Sequence, residues 1–215
     1  MGTFVTLAEV MEARGSPLDE DEVWCLLFAT TEGQYFIIFL LSDSGNMYHV
    51  LSPGSVLLSA NGSLAFKSCA QHEDVTSFTA PEVQHAAASS TRTQMVVYSL
   101  GMTLYWCIDY HLPHNQPVQL SAELEGLLLS MCEDTVMRRT DLLTVLGTCE
   151  VHQKAATLPP AEHLIKRLVE DVYRTSVSLH CHSEGWLSTR GKFIVSCQYV
   201  SIRMKTNLFS RGIVQ

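Results

Sequence analysis

Apolar residues follow helical spacing in several separate stretches of this chain. The most apolar stretch, residues 96–106, places Val97, Leu100 and Leu104 at intervals of three and four, and most positions between them are apolar too. A helix that is apolar nearly all round belongs in the centre of a domain. The pattern therefore predicts a buried helix over 96–106, around which the rest of the chain packs.

The first 31 residues predict two helices. Thr6 and Glu9 have the spacing of a capping box, which begins a helix over residues 7–14. The dipeptide Ser16-Pro17 then predicts the N-cap and first turn of a helix over 17–31, because proline is favoured at the first helical position. Four acidic residues complement the positive end of that helix dipole, namely Asp19, Glu20, Asp21 and Glu22.

Three further helices and a hairpin are predicted downstream. Residues 56–66 read as a β-hairpin with an Asn-Gly turn, and 86–93, rich in Ala, Ser and Thr, as a loop before the central helix. Ser121 predicts the cap of a helix with a leucine face, a second helix begins near Thr140, and a third covers about 160–173. The predicted fold class is mostly α with a small β-hairpin.

Two stretches lack a strong period. Residues 34–41 fit a buried strand or a helix segment equally well. No strong period follows Arg174, so we predict one domain over residues 1–174 and an appended tail over 175–215, for which disorder is one alternative.

Composition bounds the class of protein. With 47% hydrophobic and 17% charged residues, 215 residues can bury one sizeable core. The longest apolar run, residues 35–41, is far shorter than the roughly 20 residues of a membrane-spanning helix. The N-terminus shows no secretory signal, and seven cysteines without a CxxC pair favour reduced thiols. We therefore expect a cytoplasmic protein without a transmembrane segment.

Charge divides unevenly along the chain. Residues 1–174 hold 9 Lys and Arg against 21 Asp and Glu, a net charge of −12, whereas residues 175–215 hold 5 against 1, or +4. An acidic body disfavours nucleic acid and favours a protein or basic peptide partner, although a solvated acidic face has the same composition. The candidate partner-binding residues are the acidic clusters Asp19, Glu20, Asp21 and Glu22, and Glu123 and Glu125.

Residues with catalytic or metal-binding side chains give no strong pattern. Cys107, Cys132 and Cys149 lie on apolar helices and read as small core residues. The triplet His180-Cys181-His182 has no distant fourth ligand and makes a poor tetrahedral zinc site. No Gly-x-Ser-x-Gly nucleophile motif is present. The sequence thus predicts no catalytic residue, no metal and no cofactor.

The order of these elements resembles the C-terminal lobe of a protein kinase. Several motifs sharpen the resemblance, and they are Val5–Glu9, Arg14-Gly15, Leu18–Trp24, Phe78-Thr79-Ala80-Pro81-Glu82, Tyr98–Trp106 and Met131-Cys132-Glu133-Asp134. With these motifs in this order, the chain resembles the KIND domain, the kinase non-catalytic C-lobe domain, as found in FERM- and PDZ-containing scaffold proteins such as a large non-receptor tyrosine phosphatase. The resemblance covers about residues 4–173 and weakens over 31–49.

The resemblance also shows which kinase groups are missing. Val50 falls at the position of the catalytic aspartate and Ser55 at that of the metal-binding asparagine. Ser68-Cys69-Ala70 falls where kinases have Asp-Phe-Gly. Because these positions offer no carboxylate to magnesium, and the residues before Val50 are too few for a nucleotide lobe, phosphoryl transfer by this route is unavailable.

One ion pair of kinase lobes is kept in the sequence. The glutamate of Ala-Pro-Glu pairs in kinases with an arginine further along the lobe, and Glu82 and Arg139 occupy those positions. A buried carboxylate and guanidinium are usually satisfied by each other. The resemblance therefore implies a structural ion pair between Glu82 and Arg139.

The functional prediction is a non-catalytic protein-interaction module of a scaffold or cytoskeleton-linked protein. The predicted location is the cytoplasm, with the submembrane cortex or the cytoskeleton as the more specific alternative. Some members of the family, the Spir actin nucleators, bind basic segments of formins, which suits the acidic body. Two alternatives stay open: a pseudokinase that binds nucleotide, and a truncated fragment without independent activity.

Overall fold

A computed structural model of the chain describes residues 4–32, 50–67, 75–84, 90–113 and 115–179. These residues form six α-helices, two short 3-10 helices and one three-stranded antiparallel sheet, so the mostly helical fold class is confirmed. In chain order the elements are β1 (Phe4–Thr6), α1 (Leu7–Arg14), α2 (Glu20–Glu32), β2 (Val56–Ser59), β3 (Leu64–Phe66), the 3-10 helices Thr76–Phe78 and Pro81–Gln84, α3 (Ser90–Ile108), α4 (Ala122–Met131), α5 (Leu142–Ala156) and α6 (Ala161–Leu179).

Helix α3 is the buried centre that its apolar pattern predicts. Every residue from Val96 to Ile108 is buried, and Trp106 is among the largest fully buried side chains. Gly101 lets α3 approach the end of α4, because a Cβ there would lie 2.6 Å from the Sγ of Cys132. The helix begins at Ser90, so the predicted loop over 86–93 is wrong for its second half, where the partial burial of Arg92 and Thr93 offsets weak helix propensity.

The N-terminal strand β1 was not predicted from the sequence. It pairs antiparallel with β2, with Phe4 opposite Ser59, so the expected two-stranded hairpin becomes the larger part of a three-stranded sheet. A segment of three residues is too short to show the alternating pattern of a strand. The strand forms because β2, which is distant in the sequence, pairs with it. The predicted capping box of α1 is confirmed, since Thr6 Oγ1 accepts from Glu9 N at 3.1 Å and Glu9 Oε2 accepts from Thr6 N at 2.6 Å.

The predicted start of α2 at Ser16-Pro17 is wrong. Leu18 is buried and its backbone N–H donates to the carbonyl of Cys107, at 3.1 Å, which holds the chain outside a helix there. The helix begins at Glu20 after a different cap. Asp19 Oδ1 accepts from Glu22 N at 2.9 Å and Glu22 Oε2 accepts from Asp19 N at 3.0 Å, which is a reciprocal capping box.

The predicted hairpin is present and packs on the start of α6. Gly62 in its turn has φ 89°, and a Cβ there would lie 2.8 Å from the carbonyl oxygen of Glu162. Glycine is therefore needed both for the left-handed backbone and for the close approach of α6.

Helix α6 runs to Leu179, beyond its predicted end at 173. It crosses the predicted boundary at 174, so the division into 1–174 and 175–215 stays a prediction. Residues 34–41, the triplet Ser68-Cys69-Ala70, the triplet His180-Cys181-His182 and the rest of the tail lie outside the described residues.

Helix α4 has its predicted cap at Ser121, and α5 begins close to its predicted start near Thr140. Ser121 Oγ accepts from Leu124 N at the start of α4, and Asp141 Oδ1 accepts from Thr144 N at the start of α5. Helices α5 and α6 pack on α2, and α4 packs on α3. Within the described ranges, no helix combines the length and the hydropathy that a bilayer crossing requires.

Candidate protein-interaction site

The segment matching a kinase catalytic loop contains no acidic group. Val50 and Ser55 are both buried. The hydroxyl of Ser55 accepts from Ser52 N at 2.7 Å and donates to the carbonyl of Ser52 at 3.0 Å. The side chains at these two kinase positions therefore serve the packing of a turn.

Two hydroxyls on α3 hold the same segment in place. Ser99 Oγ accepts from Leu51 N at 3.0 Å, and Thr103 Oγ1 donates to the carbonyl of Leu51 at 2.9 Å. All three residues are buried. Since buried backbone groups need partners, these bonds fix the loop to the central helix.

Arg139 and Glu82 lie in direct contact, as the resemblance implies. Arg139 Nη1 lies 2.5 Å from Glu82 Oε1, and Arg139 Nη2 lies 3.0 Å from Glu82 Oε2, a two-bond arrangement. The guanidinium also donates to the carbonyls of Gln94 and Glu133, at 2.9 Å each, and lies over the ring of Tyr98. The pair thereby ties the segment after α4 to the 3-10 helix at 81–84 and to the start of α3.

Glu22 differs from its acidic neighbours because its side chain is buried. Its side chain is 5% exposed, and its Oε1 accepts from Arg14 Nη1 at 2.8 Å and from Arg167 Nη2 at 2.7 Å. The carboxylate thus joins α1, α2 and α6. The expectation that Glu22 binds a partner is wrong for this conformation, because burial and two arginines already satisfy it.

Glu20 links the starts of α2 and α4. Its carboxylate accepts from Ser121 N at 2.9 Å, from the Ser121 hydroxyl in a short bond, and from Trp24 Nε1 at 3.4 Å. Burial acts to raise the pKa of Glu20, but the donors on Ser121 and Trp24 outweigh it and lower the pKa below its usual value. The group therefore keeps its negative charge at neutral pH.

These contacts bring together the two predicted acidic clusters, which lie about a hundred residues apart in the sequence. Ser121 caps α4, whose first turn carries Glu123 and Glu125. We call the combined surface the acidic junction and define it by the carboxylates that remain fully or partly exposed: Asp19, Glu20, Asp21, Glu123 and Glu125.

His152 lies at the acidic junction and was not predicted. Its ring stacks on Trp24, with 4.0 Å between ring centroids, and its Nδ1 lies 3.4 Å from Glu123 Oε2. It belongs to α5, so the junction rests on three helices. No sequence signal marks this histidine, because its neighbours come from α2 and α4.

A concave surface lies toward the C-terminal end of α2. It is a groove of about 570 Å³ between α2, the hairpin and the start of α6, with Phe28, Phe66 and Ile165 among its apolar lining and Glu32 at its rim. Glu162, also at the rim, pairs with Lys166 at 2.5 Å. At a rise of 1.5 Å per residue, Glu32 lies about 18 Å along α2 from Glu20, whereas Gln153, which also lines the groove, is next in sequence to His152 of the acidic junction.

Within the described part of the chain, four cysteines are free and buried, and no group of three or more potential ligands could hold a metal ion. Burial raises the pKa of the Cys25 thiol to about 11 and that of the Cys149 thiol to about 12. These thiols are protonated at neutral pH and behave as core residues, as predicted for Cys149.

Comparison with known proteins identifies the family. The family model described as "Kinase non-catalytic C-lobe domain" matches residues 5–144. The chain is 37% identical over 190 residues to human tyrosine-protein phosphatase non-receptor type 13, covering 84% of this chain and 8% of that protein. It is 41% identical over 160 residues to mouse FERM and PDZ domain-containing protein 2, covering 73% and 11%.

A more distant relative is mouse protein spire homolog 2, 27% identical over 135 residues, which cover 61% of this chain and 17% of that protein. The chain spans about a tenth of the length of the two more similar relatives. The similarity therefore concerns one domain of much larger proteins, and the predicted resemblance is confirmed.

Proposed function

The chain belongs to the kinase non-catalytic C-lobe domain family, and we propose that it is an interaction module that binds a basic segment of a partner protein at the acidic junction. The observation that carries the proposal is the meeting of two acidic clusters through the Glu20–Ser121 contact. Carboxylates clustered on one surface create a local negative potential, which accelerates the encounter with a basic segment.

The arrangement of the junction suits a surface for association. Its carboxylates stand at the N-cap and in the first turn of α2 and in the first turn of α4, and His152 of α5 contacts Glu123. Asp21 and Glu123 are exposed, whereas Glu22 next to them is buried. Asp21 can therefore meet a partner directly, whereas Glu123 also contacts His152 Nδ1 at 3.4 Å.

The setting we propose is a scaffold or cytoskeleton-linked protein of the cytoplasm, including its submembrane cortex. One relative, 41% identical to this chain, is a FERM and PDZ domain-containing protein. The net charge of −8 also supports a protein or basic peptide partner over nucleic acid. Val50 and Ser55 at the kinase positions support a role without catalysis.

The test compares two double variants of the full chain. In the first, Asp21→Asn and Glu123→Gln remove two charges from the acidic junction. In the matched control, Glu12→Gln and Glu170→Gln remove two exposed charges from α1 and α6. Each chain captures partners from cytosolic extract, and the partner captured by the unmodified chain is then purified and used in stopped-flow association at several salt concentrations.

We expect the junction variant to associate more slowly at low salt and with a flatter salt dependence, and the control to behave like the unmodified chain. Equal effects of the two variants would remove the acidic junction from the mechanism. Thermal stabilisation of the chain by ATP and magnesium, growing with ligand concentration, would instead favour a nucleotide-binding protein.

A further inference from the structure

The loop between α1 and α2 carries an exposed serine directly before a proline. Ser16 is exposed, and residues 15–19 lie outside both helices. Its hydroxyl accepts a hydrogen bond from Arg14 Nε at 3.2 Å. Proline-directed protein kinases modify serine or threonine followed by proline, and the residue before a proline favours the extended conformation that kinases bind.

Two arginines near Ser16 face one buried carboxylate, that of Glu22. Glu22 Oε1 accepts from both Arg14, at 2.8 Å, and Arg167, at 2.7 Å. Arg14 uses Nη1 for Glu22 and Nε for Ser16, so one guanidinium already spans the carboxylate and the serine hydroxyl. A guanidinium presents five donors in a planar fork, which suits simultaneous contact with a carboxylate and a phosphate.

We propose that Ser16 is a phosphorylation site for a proline-directed kinase and that Arg14 binds the phosphate in the folded protein. In the transfer, Ser16 Oγ attacks the γ-phosphorus of ATP and the bond from that phosphorus to the β,γ-bridging oxygen breaks. ADP leaves, and the hydroxyl proton passes to the catalytic aspartate of the kinase. The product carries close to two negative charges beside Arg14 Nε.

The fold distinguishes Ser16 from the chain's other Ser-Pro dipeptide. The sequence contains two, Ser16-Pro17 and Ser52-Pro53. Ser52 is 2% exposed, and its backbone N–H and carbonyl are both bonded to Ser55 Oγ. A kinase that reads only the dipeptide would modify both serines in an unfolded chain and only Ser16 in the native one.

Phosphorylation would also add charge next to the acidic junction, since Ser16 lies three residues before Asp19. If the proposed function holds, the modified chain attracts a basic segment more strongly, and this consequence rests on that function. The modification itself and its contact with Arg14 are tested without any partner.

In the first arm of the experiment, the native full chain is treated with a mitogen-activated protein kinase and magnesium ATP. In the second arm, the chain is unfolded in urea and digested, and the resulting peptides are treated with the same kinase. Mass spectrometry locates the phosphate. We expect modification of Ser16 alone in the native chain, its loss in Ser16→Ala, and modification of both serines in the peptides. Absence of Ser16 modification in the native chain, or modification of Ser52 there, would overturn the proposal.

The role of Arg14 has its own readout. The second pKa of the phosphoserine, followed by phosphorus NMR, should be lower in the folded chain than in urea. The Arg14 guanidinium, in direct contact, favours the dianion, and we expect this effect to exceed the opposing effect of the Glu22 and Asp19 carboxylates. Arg14→Gln should raise this pKa, and Arg174→Gln, an exposed arginine on α6, should leave it unchanged. An unchanged pKa in Arg14→Gln would overturn the assigned contact.

Discussion

The Glu82–Arg139 pair and the acidic junction are both built from charged side chains, but the fold treats them in opposite ways. Arg139 has a fully buried side chain and Glu82 one that is 14% exposed, and backbone carbonyls complete the contacts. The junction keeps Asp21 and Glu123 in water. A buried charge without its partner is costly, whereas an exposed charge is screened. The pair therefore governs stability, and the junction is free to govern association.

The largest expected effect lies at the buried pair. Glu82→Gln or Arg139→Met alone should destabilise the protein by about 3–5 kcal/mol, because each leaves an unpaired buried charge. The double variant should cost less than the sum of the two. Chemical denaturation of the four chains measures this cycle. Strict additivity would show that the two side chains do not interact.

An apolar change in the same core sets the scale for that comparison. Leu104, which is 2% exposed at the centre of α3, should cost about 2–5 kcal/mol when replaced by alanine, through lost burial and the cavity left behind. Urea denaturation provides the measurement. A loss below about 0.5 kcal/mol would place Leu104 at the surface and contradict the packing of α3.

Glu22 and Asp21 are adjacent acids that test the division between inside and outside within one helical turn. Glu22→Gln should cost about 1.5–3 kcal/mol, the range for hydrogen bonds to charged groups, because Arg14 and Arg167 lose an ionised acceptor. Asp21→Asn should stay within about 0.5 kcal/mol, as exposed substitutions usually do. Equal losses from the two variants, measured by thermal unfolding, would mean that the carboxylates have similar environments.

The smallest expected effect concerns the tail, which we expect to compete with a basic partner for the acidic junction. Residues 180–215 hold five basic residues against one acidic residue. Because α6 continues to Leu179, the informative truncation ends there and leaves the helix intact, whereas one at 174 cuts it. Residues 1–179 should bind a captured basic partner more tightly than residues 1–215. Equal affinities of the two chains in calorimetry would exclude the tail as a competitor but would not contradict the proposed interaction module.

Much of the fold could be predicted because its signals are local. The apolar pattern of α3, the capping box of α1 and the caps of α4 and α5 depend on residues within a few positions of each other. The acidic clusters could be found by composition, and the Glu82–Arg139 pair by resemblance to a family. The start of α2 was missed because a bond from Leu18 to Cys107, on a distant helix, outweighs the local Ser-Pro signal.

The sequence by itself determined the helical class, the buried centre and the acidic character of this protein, since spacing and charge are properties of neighbouring residues. Only the tertiary structure decided that Glu22 turns inward to two arginines while Asp21 stays in water. Only it joined Glu20 to Ser121 and placed His152 against Trp24. The physical reason is that burial and hydrogen-bond partners depend on which helices pack together, and most of these contacts join residues more than a hundred positions apart in the chain.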